Sequence, residues 1–563
     1  MDPASVAATM CATFVDEWVR RGVRHAMIAP GSRSTPMAVA LASHPLIRVE
    51  VFIDERVASF AALGAAAALR QPVLALCTSG TAATEFHSAV VEAHHSDVPL
   101  IAITADRPPE LQGVGAPQTI DQRNLFGVAV RRYFDITPAV AHDASRWRGV
   151  ARDVLDAATG ERPGPVQVNL AFREPLLGVA GVLPNVDEAS NHSPNRPVTV
   201  ASSLVDECVA EMTGRRGVFI AGTDAPDSLL ALAATIGWPV WADPRSGLRR
   251  VHPAVVSAAD PLMRDGRVAE RLRPEVIVRF GALPASKVVA SRLRDWAGTH
   301  VCLTAAPALI DPDRVVTRHV VGDPDGFIRL LMTRLAPAPD EWRDDWSSAS
   351  AAADAVISTW CGSGTLNEPS VAHVVARDMP LPGVLVVSSS MPIRDVEWFA
   401  PPRDNLQVHA NRGTNGIDGV VSTAIGVALA SGNPAVLLIG DVAFLHDSGA
   451  LVGLADRAAD VRIVLVDNHG GGIFSFLPQA TALPSEVFER LFGTPHSVDI
   501  SALVGAHGVR YRAVATTHEL SAALHEPGPV VIHVETDRST VVADHDALHS
   551  AVGGAARAAL SIA

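Results

Sequence analysis

The feature that most restricts the fold is the alternation of short apolar runs with alanine-rich, helix-like stretches. In the first third of the chain, turn-forming or polar residues follow each apolar run, and the stretch Arg56–Leu69 is typical of the helical segments between them. Strands that alternate with helices in this way form parallel sheets covered on both faces. The predicted strands here are His25–Ala29, Arg48–Ile53, Val73–Leu76 and Leu100–Thr104.

The same α/β alternation recurs twice more, and 563 residues give room for about three domains. Proline and asparagine residues between Gly181 and Thr199 indicate a linker, and Ala336–Pro339 indicates a second boundary. We predict three α/β domains with parallel sheets flanked by helices, over residues 1–183, 198–337 and 345–563. The further predicted strands are Gly217–Ala221, Trp238–Trp241, Val276–Phe280, His300–Leu303, Val384–Ser388, Leu406–Ala410, Ala435–Gly440, Arg462–Asp467 and Pro529–Val534.

Charge and cysteine content exclude several classes of function. The net charge of −14 argues against a general nucleic-acid binder. The five cysteines form no CxxC pair, which favours a reducing compartment. The acidic residues Asp2, Asp16 and Glu17 argue against a signal peptide, and the apolar run Phe60–Leu69 is too short to span a bilayer. We predict a cytoplasmic protein with no membrane span and no nucleic-acid partner.

Lys287 is the only lysine among the 46 Lys and Arg residues. A coding bias replaces lysine with arginine wherever either serves, but a guanidinium cannot stand in for a compact ammonium charge. Lys287 is therefore a candidate functional residue. It belongs to no Walker A loop, because no glycine-rich run precedes it.

Two predicted strands of the last third end in polar residues suited to a cation. Asp441 follows the strand Ala435–Gly440, and Asn468 follows the next strand 27 residues later, one βαβ unit away. Ligands bind at the carboxyl ends of parallel strands, and Mg²⁺ takes a carboxylate and neutral oxygens beside phosphate oxygens. The glycines after His469 allow a diphosphate to approach, and the Gly470 carbonyl is a further candidate ligand. A helix is predicted to start near Asp447-Ser448.

This segment resembles the cofactor signature of thiamine diphosphate enzymes, with Gly-Asp at one strand end and Asn about one βαβ unit later. Val442 stands where that signature usually has glycine. Alone, a glutamate at a helix start is an ordinary dipole partner. The resemblance implies that Glu55 instead hydrogen-bonds N1′ of the cofactor pyrimidine and promotes loss of the thiazolium C2 proton. It implies thiamine diphosphate and Mg²⁺, with Mn²⁺ as a substitute, as cofactors.

Further motifs narrow the resemblance to the MenD family, the 2-succinyl-5-enolpyruvyl-6-hydroxy-3-cyclohexene-1-carboxylate synthases of menaquinone biosynthesis, which are transferases. The similarity covers the first and last thirds, whereas the middle third is similar in length, class and Lys287. The motifs are Pro30–Ser34, Asp54–Arg56, Thr78–Thr81, Ala105–Pro108, Gly115–Gln118, Asn411–Gly413, Gly416–Gly419, Gly440-Asp441, Phe444–Asp447, Gly470–Phe474 and Phe492–His496.

The resemblance implies decarboxylation of 2-oxoglutarate and 1,4-addition of the resulting succinyl-semialdehyde carbanion to isochorismate. Both substrates are dicarboxylates, and bidentate arginine pairing suits planar carboxylates. By resemblance, Arg394 and Arg412 lie nearer 2-oxoglutarate. The residues nearer isochorismate are Arg33, Arg107 and Lys287, with Ser32 and Gln118 as its hydrogen-bond partners.

The cofactor site is also carried over by resemblance. Ile417 is the apolar wedge that keeps the cofactor bent, and Ile473, Phe474 and Leu477 line a dry pocket. The metal ligands are Asp441, Asn468 and the Gly470 carbonyl. The cofactor-binding residues are Glu55, Ser390, Ile417, Gly440, Asp441, Val442, Ala443, Asn468, Gly470, Gly472 and Ile473.

The resemblance further implies how the chain assembles. Residues 1–183 form a pyrimidine-binding domain and residues 345–563 a diphosphate-binding domain, separated by a middle domain. Each active site then lies between subunits of a homodimer or homotetramer, with Glu55 and Asp441 facing each other across the interface.

Three other interpretations compete. An acetolactate synthase-like enzyme or 2-oxo acid decarboxylase has the same fold but does not need the cluster Arg33, Arg107, Arg394 and Arg412. A hydrolase is suggested by the HGGG run at His469–Gly472, but the chain has no G-x-S-x-G elbow. A cofactor-binding but inactive regulator or scaffold stays open. A nicotinamide enzyme is excluded because the chain has no G-x-G-x-x-G.

Overall fold

Three six-stranded sheets, one in each third of the chain, organise the computed structural model. The structure describes residues 2–186, 198–223, 225–296 and 298–562. Strand pairs run parallel in all three sheets, and helices occupy the connections. The predicted α/β fold with parallel sheets flanked by helices is therefore confirmed.

Residues distant in sequence join into two compact units, which are described separately. Unit 1 contains residues 2–186, 411–435 and 443–461, and unit 2 contains the other described residues. Most of the predicted linker, residues 187–197, lies outside the described residues. The predicted domain boundaries stay predictions, and residue 345 lies within the helix Asp340–Cys361.

The first sheet belongs to unit 1. Its strands are β1 (His25–Ile28), β2 (Arg48–Val51), β3 (Val73–Cys77), β4 (Leu100–Asp106), β5 (Arg132–Ile136) and β6 (Val166–Ala171), in the order β2-β1-β3-β4-β6-β5. The central strands β3 and β4 are buried along their whole length, as two-sided helix cover requires. The helices are α1 (Pro3–Arg20), α2 (Thr35–Ser43), α3 (Glu55–Leu69), α4 (Thr81–Thr84), α5 (His87–His95) and α6 (Ala144–Thr159).

The second sheet belongs to unit 2. Its strands are β7 (Gly217–Ala221), β8 (Val240–Ala242), β9 (Val255–Val256), β10 (Val276–Phe280), β11 (Thr299–Thr304) and β12 (Arg318–Val321), in the order β12-β11-β10-β7-β8-β9. Its central strands β7 and β10 are fully buried and apolar, except for the buried Arg279 in β10. The helices are α7 (Ser202–Met212), α8 (Ser228–Ile236), α9 (Ala259–Arg264), α10 (Gly266–Arg271), α11 (Lys287–Asp295) and α12 (Pro324–Met332).

The third sheet has the strand order β14-β13-β15-β16-β18-β17. Its strands are β13 (Gly383–Val387), β14 (Leu406–His409), β15 (Ala435–Gly440), β16 (Val461–Asp467), β17 (Arg510–Val514) and β18 (Val530–Glu535). The helices are α13 (Asp340–Cys361), α14 (Glu368–Asp378), α15 (Met391–Phe399), α16 (Val420–Ser431), α17 (Asp441–His446), α18 (Gln479–Ala482), α19 (Ser485–Phe488), α20 (Ile500–Ala506), α21 (Thr517–Leu524) and α22 (Val541–Ala559).

Within unit 1, α16 packs closely against α3 because glycines remove side chains at the contact. A Cβ at Gly64 would lie 2.1 Å from the Thr423 carbonyl oxygen, and one at Gly426 would lie 1.9 Å from that of Ala61. No side chain fits at such distances, so the two helix backbones touch directly. This contact joins a segment of the last third of the chain to the first sheet.

A helix starts at the predicted position near Asp447-Ser448, but it is not an α-helix. Helix α17 begins at Asp441, directly after β15, and only a short 3-10 helix spans Ser448–Leu451. The Asp447 side chain does not cap this 3-10 helix, because its buried carboxylate accepts hydrogen bonds from the amide (2.7 Å) and hydroxyl (2.9 Å) of Ser422 in the first turn of α16. A tertiary partner therefore replaces the local capping bond that the sequence favours.

All five cysteines are buried and unpaired. Among the described residues, no helix combines the length and the apolar character needed to cross a membrane.

Candidate functional site

The third sheet brings together the two strand ends predicted to carry the cation. Strands β15 and β16 are neighbours in the sheet, so Asp441 and Asn468 follow adjacent strands. The Asp441 side chain is buried, and the Gly470 amide donates a hydrogen bond of 2.7 Å to its Oδ2. The structure thus joins Asp441 to the glycine loop that follows Asn468.

Asp441 is fixed by three donors. Besides the Gly470 amide, the Val442 amide donates to Oδ1 (2.7 Å), and His496 Nε2 lies 3.1 Å from Oδ2. Gly440 ends the strand, and apart from its chain neighbours no described residue has an atom within 4 Å of the position of a Cβ. The hydrogen bonds therefore fix the orientation of the carboxylate, and the strand end beside it has space for at least a Cβ.

The Asn468 amide has one satisfied end and one unsatisfied end. Its Nδ2 donates a hydrogen bond of 2.7 Å to Glu368 Oε1. Its Oδ1 is buried and receives no hydrogen bond from the described residues. An unmet buried acceptor costs about 1–3 kcal/mol, and a bound cation would offset that cost.

Only glycine fits at position 470. Gly470 has φ +151°, and a Cβ there would lie 2.1 Å from the Gly493 carbonyl oxygen. The neighbouring Gly471 amide donates to that same carbonyl (2.8 Å), which ties the loop to the Phe492–His496 motif. At Gly472 a Cβ would lie 2.6 Å from Asn468 Nδ2. These glycines keep the loop tight against the two strand ends.

Two buried carboxyls of this edge have pKa values shifted in opposite directions. Burial, with the nearby Asp467 carboxylate, raises the pKa of Asp441 to about 6. Burial also acts to raise the pKa of Asp467, but the hydrogen bond to His533 (3.0 Å) and that from the His469 amide outweigh it and lower the pKa to about 2. A divalent cation on Asp441 would stabilise its ionised form and reverse its shift.

The donor set fits the predicted cofactor. One carboxylate, one unsatisfied amide oxygen and a glycine loop match the oxygen ligands that Mg²⁺ takes beside phosphate oxygens. Asp441, Asn468 and Gly470 would hold the cation, and the absence of side chains at Gly470 and Gly472 keeps the loop backbone close to it. The assignment of each residue as a ligand stays a prediction.

Other predicted residues of unit 2 lie near helix starts. Ser390 precedes α15 with φ 76°, and its carbonyl accepts a hydrogen bond from Arg394. Burial lowers the pKa of Arg394. Lys287 is exposed at the first position of α11, where the helix dipole disfavours a cation. The functional role of Lys287 stays a prediction.

The predicted pocket-lining residues Ile473 and Phe474 lie in a 3-10 helix, Gly472–Phe476, with Leu477 after it. All three are half-buried, and the Phe474 ring contacts Phe492 at 5.5 Å between centroids. An apolar surface therefore adjoins the glycine loop.

In unit 1, Glu55 is the first residue of α3 and is half-buried. The preceding Asp54 caps the helix, accepting hydrogen bonds from the amides of Arg56 (2.8 Å) and Val57 (3.2 Å). Asp54, and not Glu55, therefore provides the N-cap of α3.

Two of the predicted isochorismate-binding arginines lie close together. Burial and the nearby Arg33 guanidinium lower the pKa of Arg107. Arg33 is buried and bonds the Phe172 carbonyl (3.0 Å), and Arg107 bonds the Ser79 hydroxyl.

The Ser79 carbonyl also accepts from Gln118 Nε2 (3.1 Å), and Gln118 adopts the left-handed φ of 55°. Arg33, Arg107 and Gln118 therefore form one group in unit 1, whereas Ser32 is exposed beside Arg33.

The loop that carries Arg412 and Ile417 is anchored by Glu92 of α5. The buried Glu92 carboxylate accepts hydrogen bonds from the amides of Gly413 and Thr414, both 2.7 Å. Arg412 and Ile417 are half-buried, and Ala443 is buried near the start of α17. The structure thus fixes the loop directly after Arg412.

Comparison with known proteins supplies the family. Residues 9–125 match the family model described as the N-terminal TPP binding domain of thiamine pyrophosphate enzymes. Residues 191–387 match the middle domain of these enzymes, and residues 388–534 match their C-terminal TPP binding domain.

Curated relatives match almost the whole chain. The 2-succinyl-5-enolpyruvyl-6-hydroxy-3-cyclohexene-1-carboxylate synthase of Chloroflexus aurantiacus is 38% identical, over 98% of this chain and 97% of its own. The synthase of the same name from Myxococcus xanthus is 39% identical, over 94% and 95%. This chain belongs to that synthase family. The family predicted from the motifs is confirmed.

A solved structure supports the fold of this family member. Benzoylformate decarboxylase from Polynucleobacter necessarius superimposes with a TM-score of 0.71 at 20% identity, covering 94% of this chain and 99% of the other.

Four residues around the predicted site were not assigned from sequence. His496 and Ser79 lie in motifs that the sequence singled out, so their position was a usable signal. Glu92 and Glu368 gave none, because each acts on residues about 100 or more positions away.

Proposed function

We propose that this chain decarboxylates 2-oxoglutarate and adds the resulting four-carbon unit to isochorismate, giving 2-succinyl-5-enolpyruvyl-6-hydroxy-3-cyclohexene-1-carboxylate in menaquinone biosynthesis. The observation that carries the proposal is the Asp441, Asn468 and Gly470 arrangement at adjacent strand ends, in a chain that belongs to the synthase family.

Thiamine diphosphate with Mg²⁺ is the proposed cofactor pair. When bound, thiamine diphosphate supplies the carbon nucleophile on which 2-oxo acids lose CO₂. Asp441, Asn468 and the Gly470 carbonyl would bind the cation. Glu55 would hold the proton at N1′ of the pyrimidine, and Ile417 would pack against the cofactor. Ile473, Phe474 and Leu477 exclude water, which strengthens charge contacts in the pocket.

Arginines account for recognition of the two dicarboxylates. Arg394 and Arg412 pair with the carboxylates of 2-oxoglutarate, and Arg33 and Arg107 pair with those of isochorismate, with Lys287 as a further cation. The proximity of Arg33 and Arg107 supports the second part, because the repulsion between two guanidiniums falls when a carboxylate lies between them.

The decisive assay contains purified protein, thiamine diphosphate, Mg²⁺, 2-oxoglutarate and isochorismate, and follows the loss of isochorismate absorbance. We expect consumption that requires both the cofactor and 2-oxoglutarate. Parallel reactions omit the cofactor or replace 2-oxoglutarate with pyruvate. Turnover of pyruvate alone would instead assign the chain to the acetolactate synthase-like enzymes, and cofactor binding without turnover of either acid would indicate an inactive relative.

We also propose active sites shared between subunits of a homodimer or homotetramer. Glu55→Gln should reduce the rate about 10²–10⁴-fold, the usual range for a lost proton-transfer group. Asp441→Asn should be inactive because it removes the charged cation ligand. Co-expressed together, the two variants should recover about a quarter of the wild-type activity, since half of random dimers are mixed and each has one intact site. No recovery would mean that each site lies within one chain.

A further inference from the structure

The starting observation is a buried carboxylate that contacts a predicted metal ligand. Glu368 is the first residue of α14 and is 6% exposed. Its Oε1 accepts the 2.7 Å hydrogen bond from Asn468 Nδ2. Its Oε2 is buried and accepts no hydrogen bond from the described residues. The contact with Asn468 is thus the one hydrogen bond that the structure gives to this carboxyl group among its described residues.

This contact decides which end of the Asn468 amide faces the site. An amide has a donor end and an acceptor end, and a carboxylate oxygen, which can only accept, is satisfied by the donor end alone. Glu368 therefore requires Nδ2 on its own side and directs Oδ1 away from itself. A protonated Glu368 keeps the same contact when its proton is on Oε2, because Oε1 then remains an acceptor.

The surroundings of the amide reinforce that choice. Nδ2 lies only 2.6 Å from where a Cβ of Gly472 would be, so backbone packs directly against the amide nitrogen. On the other end, Oδ1 is buried without a hydrogen bond from the described residues. A neutral oxygen presented in this way suits a cation and does not suit an anion.

We propose that Glu368 is the positioning residue of the cation site: its buried carboxyl group fixes the Asn468 amide so that Oδ1 faces the divalent cation. The inference rests on the proposed function, since it takes Asn468 as a cation ligand. Residues that orient metal ligands in this way commonly change metal affinity about 10–100-fold when removed.

Glu368 is also part of a buried group with Asp395 and His545, whose potential ligand atoms lie within 4.8 Å of one another. His545 Nε2 bonds Asp395 Oδ1 at 2.8 Å, so this pair satisfies itself without Glu368. The geometry therefore assigns Glu368 to Asn468. If Glu368 were instead a ligand in a second metal site with Asp395 and His545, the protein would bind two metal ions per chain.

The test measures metal binding rather than turnover. Wild type, Glu368→Ala and Glu368→Gln are titrated with Mn²⁺ at saturating thiamine diphosphate, with free Mn²⁺ followed by electron paramagnetic resonance. We expect one Mn²⁺ per chain in wild type, about 10–100-fold weaker binding in Glu368→Ala, and a change below about threefold in Glu368→Gln, whose Oε1 still accepts from Asn468.

A matched control removes another carboxylate of unit 2. Asp354 is half-buried and bonds the Ser257 hydroxyl at 2.7 Å, so Asp354→Asn should bind Mn²⁺ like wild type. If Glu368→Ala does not fold, Glu368→Asp serves instead, because a side chain one methylene shorter withdraws the acceptor and should also weaken Mn²⁺ binding.

The outcomes distinguish this inference from the proposed function. Unchanged Mn²⁺ affinity in Glu368→Ala, or two Mn²⁺ per wild-type chain with one lost in the variant, would overturn the positioning role alone. Wild-type protein that binds no Mn²⁺ together with thiamine diphosphate would instead overturn the proposed function.

Discussion

Two buried glutamates, one in each unit, are satisfied to very different degrees. Glu92 in unit 1 accepts four hydrogen bonds, from the amides of Gly413 and Thr414, the Thr414 hydroxyl and the Ser96 hydroxyl, all between 2.7 and 2.8 Å. Glu368 in unit 2 accepts one, from Asn468. Their exposures are similarly low, at 3% and 6%.

The difference separates a structural anchor from a group that acts on a binding site. A carboxylate with every lone pair occupied gains nothing from a ligand, and its loss leaves several donors unmet. Glu368 accepts a single hydrogen bond, and the Asn468 amide that donates it still has an unsatisfied Oδ1 available to a ligand. Burial together with the Asp395 carboxylate raises the pKa of Glu368 to about 7, which reflects this incomplete compensation.

The largest effect on stability should come from removing the saturated group. Glu92→Ala leaves the Gly413 and Thr414 amides without their acceptor, and we expect a loss of about 2–4 kcal/mol from unit 1. Urea unfolding measures the loss, with the exposed Glu85→Ala as control. Equal unfolding midpoints for Glu92→Ala and Glu85→Ala would show that Glu92 is not a structural anchor, and the contrast with Glu368 would be lost.

A second prediction concerns acid stability near the unsaturated group. His549 of α22 is buried beside Trp398 and Phe399, and neither ring nitrogen has a hydrogen bond among the described residues. Burial, reinforced by Arg264 and His545, lowers the pKa of His549 to about 2. Below pH 6.5 the unfolded chain therefore takes up a proton that the folded chain does not.

The contribution of His549 is thus complete above pH 6.5 and declines as the pH falls, by about 1.4 kcal/mol per unit or about 2 kcal/mol at pH 5. His549→Leu should flatten the stability profile between pH 6.5 and pH 5, measured by thermal unfolding. The exposed His142→Asn should leave the profile unchanged. A slope in His549→Leu equal to that of wild type would show that His549 takes up its proton without unfolding.

The smallest predicted effect concerns the helix start that carries Glu368. Asn367 accepts from the Ser370 amide (3.0 Å), and the Ser370 hydroxyl accepts from the Asn367 amide (2.8 Å), a reciprocal cap. Asn367→Ala should cost about 1 kcal/mol, whereas Asn367→Asp should retain most of the stability. Unfolding midpoints check this, and equal losses in both variants would mean that the cap contributes little.

Most of the fold could be predicted because its strands are apolar and buried. The limits of Gly217–Ala221, Val276–Phe280 and Ala435–Gly440 were predicted to the residue. The strands β5, β6, β9, β12 and β17 were not predicted. The edge strands β5 and β17 both begin with Arg-Tyr and contain further charged residues, as befits strands with one open side. Neither their composition nor their length distinguishes such segments from loops.

The candidate site was predictable where function depends on local sequence. Asp441, Asn468 and Gly470 follow strand ends that a parallel sheet must bring together. The anchoring of residue 413 by Glu92 and the orienting of Asn468 by Glu368 depend on contacts between distant segments. No local sequence pattern identifies a glutamate whose hydrogen-bond partner lies far away in the sequence.

The close contact of α3 with α16 also has a consequence for protein synthesis. Leu69 leaves the ribosome long before Ser431, by roughly 20–70 s at the usual rate of about 5–20 residues per second. Throughout that interval the glycine and alanine face of α3 lacks the helix against which it packs. The packing of α3 in unit 1 can therefore be completed only after a segment from the last third of the chain has been synthesised.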